Sequence, residues 1–433
     1  MEFAAGVFYL SIITASTLAV VLLIQWIGQL RNKAVDLQIP FPLRNSVNKI
    51  LLWQRNRSEV QKVLGAIILA VVGSRLFIYL LGGIWSLYFT DGHTLAFHSI
   101  WQQWDAGHYL FIAENGDVTS PHEKAVLIAF FPLYPFLIKG FGFIFRDYSV
   151  AGYFVSTVSL MAACYFLYKL VEEQISRSVA VKAVLFLIVS PFSVFLGLVF
   201  TESLFLALVI AFFYALKKQR WLIAGGLGFF AALTKNQGVL LLIPFLMEAL
   251  VVLVHQPRSR EERSVLSLGL KTLTPVVLIP AGFLVYILIN YWVTGNPFQF
   301  LVYQKTHWHN SFGFFAGNIK NLLLQASSYP DHQFRFSLMV LQPVVFMFAL
   351  FALCAAVAKK IPPSINAFSL VFLLVSFSPT WLLSGARYST ALFYIPMLLA
   401  IVSTNTSRLI VLSGLSMSFM SFFVIVFVEG AMF

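Results

Sequence analysis

Residues 3–30, FAAGVFYLSIITASTLAVVLLIQWIGQL, contain no charged side chain. About 20 apolar residues are enough for a helix to cross a bilayer. Similar runs recur along the whole 433-residue chain, which is 59% hydrophobic and 11% charged, with a mean hydropathy of +0.85. Helices satisfy their own backbone hydrogen bonds in lipid, and the alternating pattern of a membrane barrel is missing. The sequence therefore predicts an all-α polytopic membrane protein.

The N-terminal run has the features of an anchor helix. It lacks the basic segment and the small-residue cleavage site that mark a removed signal peptide. The next segment, 31–62, holds seven Lys or Arg residues and two acids. We therefore predict an anchor helix and basic cytoplasmic linker over 1–62, followed by the main transmembrane catalytic domain over 63–433.

The basic residues set the expected orientation. The net charge of +12 follows the positive-inside rule of membrane proteins, so no nucleic-acid partner is predicted. The twelve-span topology places 31–62, 217–220, 258–263 and 358–360 inside, and with its other inner loops and span ends it makes 20 of the 29 basic residues cytoplasmic. This assignment predicts two large outer loops and about twelve transmembrane helices, at 3–30, 63–89, 149–170, 179–197, 200–216, 221–234, 237–254, 272–293, 336–357, 365–383, 388–402 and 408–428.

One apolar run does not fit this topology as a simple span. Counting AVLIAFFPLYPFLIKGFGFIF, 125–145, would reverse the side of every later loop. Pro132 and Pro135 would also disrupt a regular helix there. We therefore predict a re-entrant or interfacial segment on the outer face.

Polar residues collect at the outer face of this topology. The stretch WQQWDAGHYLFIAENGD, 101–117, places three acids among aromatic residues, and Asp91 and Glu123 are close by. Charge in or near a membrane is costly and tends to face a cavity. Several charged groups at one face therefore predict a single site. Its candidates are Asp105, Glu202, Lys235, Asn236, Gln237, Lys305, His307, His309 and Arg387.

Asp105 has two interpretations. DAGHYLFIAEN could form a short amphipathic helix with Asp105, His108, Tyr109 and Ile112 on one face. Asp105 would then cap the helix. A carboxylate flanked by aromatic residues would equally suit a general base whose pKa is set by partial burial.

Glu202 and its expected partners also have structural alternatives. An acid in the first turn of a helix is favourable, but an unpaired charge among apolar residues is costly. Lys235 or Arg387 would resolve that cost. Lys235 alone could be a snorkelling residue. Arg387 could be an interfacial anchor, although arginine suits bidentate phosphate recognition.

Metal and nucleotide sites are not indicated. His307 and His309 have no carboxylate near them in sequence, so stacking or hydrogen bonding to a ligand is favoured over metal binding. Cys164 and Cys354 lie in apolar runs, which disfavours a disulfide framework. No phosphate-binding glycine loop, GxSxG or HExxH motif is present. No cofactor is predicted.

Several segments together resemble a known family. WDAGHYLFIAENG (104–116), AFFPLYPFL (129–137), FTESLFLAL (200–208) and TKNQGVLLL (234–242) are similar, in the same order, to motifs of the PIG-V-type mannosyltransferases and their bacterial relatives. WVTGNPFQFLVYQKTHWHNSF (292–312) resembles a loop of bacterial members. The chain departs from the family where Lys235 replaces a frequent Arg, where Gln237 falls near an Asn-Gly pair and where Trp308-His309 replaces Trp-Gly.

The resemblance implies a GT-C fold glycosyltransferase with Asp105 as the catalytic residue. Such enzymes take a sugar from a polyprenyl-phosphate carrier on the outer or lumenal face. We predict inverting transfer, with Asp105 as general base and Lys235 and Arg387 offsetting the phosphate charge. Glu202 would orient a cation or bind sugar hydroxyls. The predicted substrate-binding residues are Trp104, His108, Tyr109, Glu202, Lys235, Asn236, His307, Trp308 and Arg387.

The expected partners follow from the same resemblance. They are a polyprenyl-phosphate sugar, a glycan or glycolipid acceptor and the lipid bilayer, and an accessory membrane subunit is left open. The bacterial-like second loop favours a prokaryotic plasma membrane over the endoplasmic reticulum.

Three alternatives remain open at this point. A lipid or sugar-lipid transporter suits buried charges, but it predicts an internal repeat that the sequence lacks. A non-catalytic membrane subunit would tolerate the loss of Asp105. A metal-dependent oligosaccharyltransferase would need paired acids as metal ligands.

Overall fold

The architecture is that of a computed structural model, which describes residues 2–31, 46–89, 97–116, 127–255, 270–326, 335–380, 382 and 384–432. Over these residues the chain is almost entirely helical, and its β structure is one isolated antiparallel bridge between Phe312 and Pro379. The predicted all-α fold is therefore confirmed. Several residues of the sequence analysis lie outside the described part, namely Asp91, Asp117, Glu123, 125–126 and 258–263.

The α-helices alternate with shorter helical turns. Short 3-10 segments span Ser193–Leu196, Asn236–Leu241, Thr274–Val277 and Ser389–Ala391, and a π-helical turn spans Arg335–Val340. In chain order the helices are α1 (Glu2–Arg31), α2 (Ser46–Phe89), α3 (Phe97–Trp101), α4 (Asp105–Asn115), α5 (Leu133–Phe145), α6 (Tyr148–Gln174), α7 (Arg177–Ile188), α8 (Glu202–Lys217), α9 (Trp221–Thr234), α10 (Leu242–Val254), α11 (Leu278–Thr294), α12 (Gln299–His307), α13 (Phe315–Gln325), α14 (Leu341–Ala358), α15 (Pro363–Ser376), α16 (Gly385–Tyr388), α17 (Tyr394–Val402) and α18 (Thr406–Val428).

Each predicted span contains a helix, but not every helix is long enough to cross a membrane. By length and composition, seven helices of the described chain qualify, or up to eight if α16 and α17, bent by 69°, form one span. The prediction of about twelve was higher because α7, α8, α9 and α15 have 12, 16, 14 and 14 residues. At 1.5 Å per residue these reach roughly 18–24 Å, short of an apolar core of about 30 Å.

The described part of the segment predicted to be re-entrant or interfacial, 127–145, contains one short helix. A single turn over 127–129 leads to α5, whose 13 residues begin after Pro132. The left-handed residue Arg146 (φ 57°) reverses the chain. The Asp147 side chain then caps α6 by accepting from the backbone N–H of Ser149 at 2.7 Å. The resulting hairpin packs α5 between α4 and α6.

Helix α8 lies at the centre of the bundle. Almost all of its side chains are buried, and it packs mainly against α6 and α9. Its sequence is apolar on every side after the first two residues, as expected of a helix surrounded by others. The first residue, Glu202, is therefore a carboxylate at the outer end of the most enclosed helix.

Helix α1 packs along the same bundle. Leu18 belongs to the common hydrophobic core. The indole N–H of Trp26 donates to the Met247 carbonyl at 3.3 Å, and the ring of Phe8 meets that of Phe314 at 6.4 Å. The anchor helix thus contacts α10 and the second outer loop, which contains α12 and α13.

The end of the bundle predicted to be cytoplasmic carries exposed ion pairs. Lys218 lies 2.8 Å from Glu173, and Glu59 pairs with both Arg177 (3.0 Å) and Lys62 (3.2 Å). Such solvent-accessible pairs contribute little to stability, about 0–1 kcal/mol each. The buried charges described next lie at the opposite end.

Candidate active site

A cavity of about 240 Å³ opens at the outer end of α8. It is the place where most of the predicted site residues meet, although they come from four separate parts of the chain. Its lining is formed by Asp105, Tyr109, Ala129, Phe130, Phe131, Thr201, Thr234, Lys235, Asn236, Gln237, Gln304, Trp308, Asn310, Pro379, Leu382, Ser384, Arg387 and Tyr388.

Asp105 is the first residue of α4 and pairs with Arg387. Its Oδ2 lies 2.7 Å from Arg387 Nη2, and its side chain is 29% exposed. The preceding residue, Trp104, has a φ of 55° and makes no capping hydrogen bond. A non-glycine residue with a positive φ costs about 1–3 kcal/mol of conformational free energy and persists only where the surrounding structure holds it in place. Asp105 is therefore the first helical residue rather than the N-cap, and it lines the cavity.

Glu202 holds two cations from below. Lys235 Nζ donates to its Oε1 at 2.6 Å, and Arg387 Nε lies 3.1 Å from the same oxygen. Only 3% of Glu202 is exposed, and it is not part of the cavity lining. The sequence left open which cation would offset its charge, and the fold supplies both.

The ion pairs leave some hydrogen-bonding capacity unused. Arg387 Nε is close enough to Glu202 for an ion pair but is not aligned for a hydrogen bond. Within the described residues, Glu202 Oε2 also has no hydrogen-bond partner. The four charged groups sum to zero at neutral pH. They form a continuous chain, Asp105–Arg387–Glu202–Lys235, in which the two ends face the cavity.

Aromatic rings surround the two cations. Tyr388 lies between them, with its ring centroid 4.8 Å from Lys235 Nζ and 5.4 Å from Arg387 Cζ. Phe200 lies 5.2 Å from Arg387 Cζ, and Phe205 lies 5.9 Å from Lys235 Nζ. Each such contact stabilises a cation by roughly 0.5–2 kcal/mol. The rings help to keep two like charges near one carboxylate.

Helix α16, which carries Arg387, is held from behind by Gln342 of α14. The Oε1 atom of Gln342 accepts from the backbone N–H of Ala386 at 2.8 Å, and Gln342 is 2% exposed. Gly385 is required by the packing, because a Cβ there would lie 2.7 Å from Gln342 Oε1 and 2.8 Å from Phe377. These contacts fix the position of the guanidinium.

Lys235 and Gln237 enter the cavity from one tight turn. After α9 ends, the chain turns back so closely that a Cβ at Gly238 would clash with the Ala231 carbonyl. The Gly238 N–H donates to the Lys235 carbonyl at 2.9 Å. Burial lowers the pKa of the Lys235 ammonium, while the neighbouring carboxylate of Glu202 acts in the opposite direction.

The second outer loop closes the opposite wall. Trp308 follows α12, and the next residues pair with the segment before α16. Gly313 N–H donates to the Ser378 carbonyl at 2.7 Å, and Thr380 N–H donates to the Ser311 carbonyl at 2.8 Å. This short antiparallel contact holds the loop beside the cavity.

An aromatic cluster connects this loop to α4. Phe130 lies 5.1 Å from Tyr109 and 6.3 Å from Trp308, ring centroid to ring centroid. Burial and the charge of Asp105 raise the pKa of Tyr109, so its phenol stays protonated. The cavity therefore has an ionic wall and a largely aromatic wall.

Four of the predicted catalytic and substrate-binding residues are not part of the lining, namely Trp104, His108, Glu202 and His307. Trp104 is 37% exposed. His108 is exposed and contacts Phe130 at 5.2 Å, because α4 turns Tyr109 rather than His108 toward Asp105. His307 is exposed and contacts Trp308 at 6.4 Å. Glu202 lies beneath the lining, and the other predicted catalytic and substrate-binding residues are part of it. Of the further candidates, Lys305 and His309 also lie outside the lining.

Other lining residues were missed from the sequence. Gln304 and Tyr388 carried no signal except adjacency to Lys305 and Arg387. Gln237 was predicted as a candidate of the outer-face site and as a departure from the family pattern, but not as a substrate-binding residue. For metals, the described chain contains no group of three or more His, Cys, Asp or Glu side chains placed to share an ion. His309 is exposed in the turn after Trp308.

Comparison with protein families gives one match. A family model described as dolichyl-phosphate-mannose-protein mannosyltransferase matches residues 129–281, well under half of the 433-residue chain. The matched part includes Glu202 and Lys235 and excludes Asp105 and Arg387. No curated protein matches the chain. The PIG-V resemblance is not tested by these findings and stays a prediction.

Crystal structures of the Archaeoglobus fulgidus oligosaccharyltransferase are similar to this chain. The complex with Zn and sulfate has 13% identity and a TM-score of 0.43, covering 84% of this chain and 53% of that one. The apo form has 12% identity and a TM-score of 0.42, with coverages of 83% and 56%. The form tethered to an acceptor peptide has 12% identity and a TM-score of 0.42, covering 84% of this chain and 55% of that one. The chain thus spans about half the length of that protein.

Proposed function

We propose that this protein is an inverting GT-C-type glycosyltransferase that moves a sugar, with mannose the first choice, from a polyprenyl-phosphate carrier to an acceptor hydroxyl. The observation that carries the proposal is one accessible carboxylate, Asp105, facing the same cavity as the buried Arg387 and the largely buried Lys235. Such a site can accept a proton and stabilise a departing anion. The mannosyltransferase family match over 129–281 supports the sugar and the lipid phosphate.

The reaction is a direct displacement. The acceptor oxygen attacks the anomeric carbon while the bond from that carbon to the phosphate oxygen breaks. The hydroxyl proton passes to Asp105. The bonding electrons leave with the phosphate, whose charge Arg387 and Lys235 stabilise. Glu202 holds both cations in place, and the acceptor reaches the site from the extracytoplasmic or lumenal side.

The ion pair between Asp105 and Arg387 suggests that the donor binds before the acceptor is activated. Asp105 Oδ2 lies 2.7 Å from Arg387 Nη2, so in the free protein this oxygen is engaged by the guanidinium. A donor phosphate competes for the same guanidinium, because planar N–H pairs suit phosphate oxygens. Donor binding would therefore release Asp105 to act on the acceptor.

The test is transfer from polyprenyl-phosphate mannose by purified protein in detergent, with a panel of hydroxyl acceptors. We expect Asp105→Asn to lower the rate by about 100-fold or more. The matched control is Glu114→Gln, since Glu114 is an exposed carboxylate on the same helix. Wild-type rates in Asp105→Asn would refute the base assignment, and a transporter or non-catalytic subunit would show no transfer in either form.

A further inference from the structure

Gln237 is a buried polar side chain with no partner in the described protein. It is 7% exposed and lines the cavity. No hydrogen bond reaches its carboxamide from any residue of the described ranges. Its carboxamide atoms are not fully enclosed by the protein, so a ligand in the cavity can reach them. Buried amides are normally paired. This one is available to a ligand.

The position of Gln237 relates it to a particular part of the donor. It lies two residues after Lys235, in the turn that Gly238 holds against α9. In a polyprenyl-phosphate sugar, the ring is joined directly to the phosphate. A side chain in the same cavity lining as the phosphate-binding cation is therefore within reach of the sugar ring. The lipid tail leaves from the other side of the phosphate.

The chemistry of the side chain suits hydroxyl recognition. A carboxamide offers two N–H donors and one carbonyl acceptor, which can engage neighbouring hydroxyls in both directions. It carries no charge, so its hydrogen bond to a phosphate would be weaker than those of Lys235 and Arg387. The other cavity-lining amides differ, because Asn236 is exposed, Gln304 is only half-buried and Asn310 already takes part in another interaction.

We propose that Gln237 binds a hydroxyl of the donor sugar and determines which sugar is transferred. This inference rests on the proposed glycosyl transfer. A site built to hydrogen-bond a substrate hydroxyl rejects the analogue without it strongly, because its own buried polar group is then left unpaired. Gln237 is a specificity-determining residue here, while Lys235 and Arg387 bind the phosphate.

The experiment compares donors as well as variants. Purified wild type, Gln237→Leu and Gln237→Glu are each given polyprenyl-phosphate mannose and its singly deoxygenated forms. The control is Gln304→Leu, an amide on the opposite wall. Melting temperatures close to wild type establish that each variant is folded, and Gln237→Glu, which keeps the acceptor oxygen, provides a second variant of similar size.

One deoxy donor is expected to reveal the contact. For wild type, kcat/KM should fall about 10- to 100-fold on that donor, consistent with one lost hydrogen bond to a buried group. Gln237→Leu should lose a similar factor on mannose and nothing further on that deoxy donor. Equal losses by Gln237→Leu on every donor, or the same selective pattern in Gln304→Leu, would overturn the inference.

A binding measurement separates this inference from the proposed function. Fluorescence of Trp308, read against Trp308→Phe, reports occupancy of the cavity by polyprenyl-phosphate sugars without turnover. Selective weakening on one deoxy sugar, removed by Gln237→Leu, supports the inference even if no acceptor is found. Equal affinity for the mannose and deoxy forms would overturn the inference about Gln237 but leave the transferase proposal standing. No binding of any carrier lipid by wild type would overturn both.

Discussion

Removing the charge of Glu202 should destabilise the protein through Lys235. Glu202 is 3% exposed and lies 2.6 Å from Lys235 Nζ and 3.1 Å from Arg387 Nε. At an effective dielectric constant of about 20, each contact amounts to roughly 5–6 kcal/mol before desolvation is counted. Desolvation cancels much of this, and removing one partner of a buried pair typically costs about 3–5 kcal/mol. We expect Glu202→Gln to fall in that range.

The two cations should not contribute equally to that loss. Arg387 keeps Asp105, whereas Lys235 has no other carboxylate within ion-pair distance among the described residues. Glu202→Gln therefore leaves the ammonium of Lys235, whose side chain is 12% exposed, without a carboxylate partner. Replacing it in the double variant Glu202→Gln/Lys235→Met removes the unpaired charge and keeps much of the side-chain volume. We expect the double variant to be more stable than Glu202→Gln alone.

The assay is unfolding in detergent, followed by tryptophan fluorescence, for wild type, both single variants and the double variant. The control is Glu173→Gln, which breaks the exposed pair with Lys218 and should cost no more than about 1 kcal/mol. A Glu202→Gln protein as stable as Glu173→Gln would refute the reasoning. So would a double variant whose loss equals the sum of the two single losses.

Three further predictions concern donor use. Arg387→Lys keeps the positive charge but removes the planar guanidinium, which can contact Asp105 and a phosphate at the same time. We expect kcat/KM for the donor to fall about 100-fold. A value near that of wild type would contradict this. Burial lowers the pKa of Lys235, so its charge and donor binding should be lost, as pH rises, earlier than for an exposed lysine. Lys235→Arg should remove this alkaline limb from the kcat/KM profile, and an unchanged limb would argue against Lys235. Gln342→Met removes the acceptor for the backbone N–H of Ala386. It should raise the donor KM about tenfold, with kcat and KM measured separately. An unchanged KM would show that Gln342 does not position α16.

The fold class could be read from the sequence because it depends on local properties. Hydropathy over about 20 residues, and the sign of the charges between such runs, are recorded in consecutive residues. The same reasoning placed Asp105, Glu202, Lys235 and Arg387 at one end of the molecule, and the fold brings these four together. Helix ends were harder in places: α7 ends at Ile188, well inside the predicted span 179–197, whereas α9 has the predicted bounds, 221–234.

The sequence by itself determined an all-helical membrane protein with a cluster of charges at one face. Only the tertiary structure decided that Arg387 pairs with Asp105, that Glu202 holds both cations, and that Gln237 lies in the lining while His108 does not. The physical reason is that pairing across 282 positions, between Asp105 and Arg387, depends on how helices pack. In a chain so uniformly apolar, the hydrophobic pattern gives little indication of which helix faces meet.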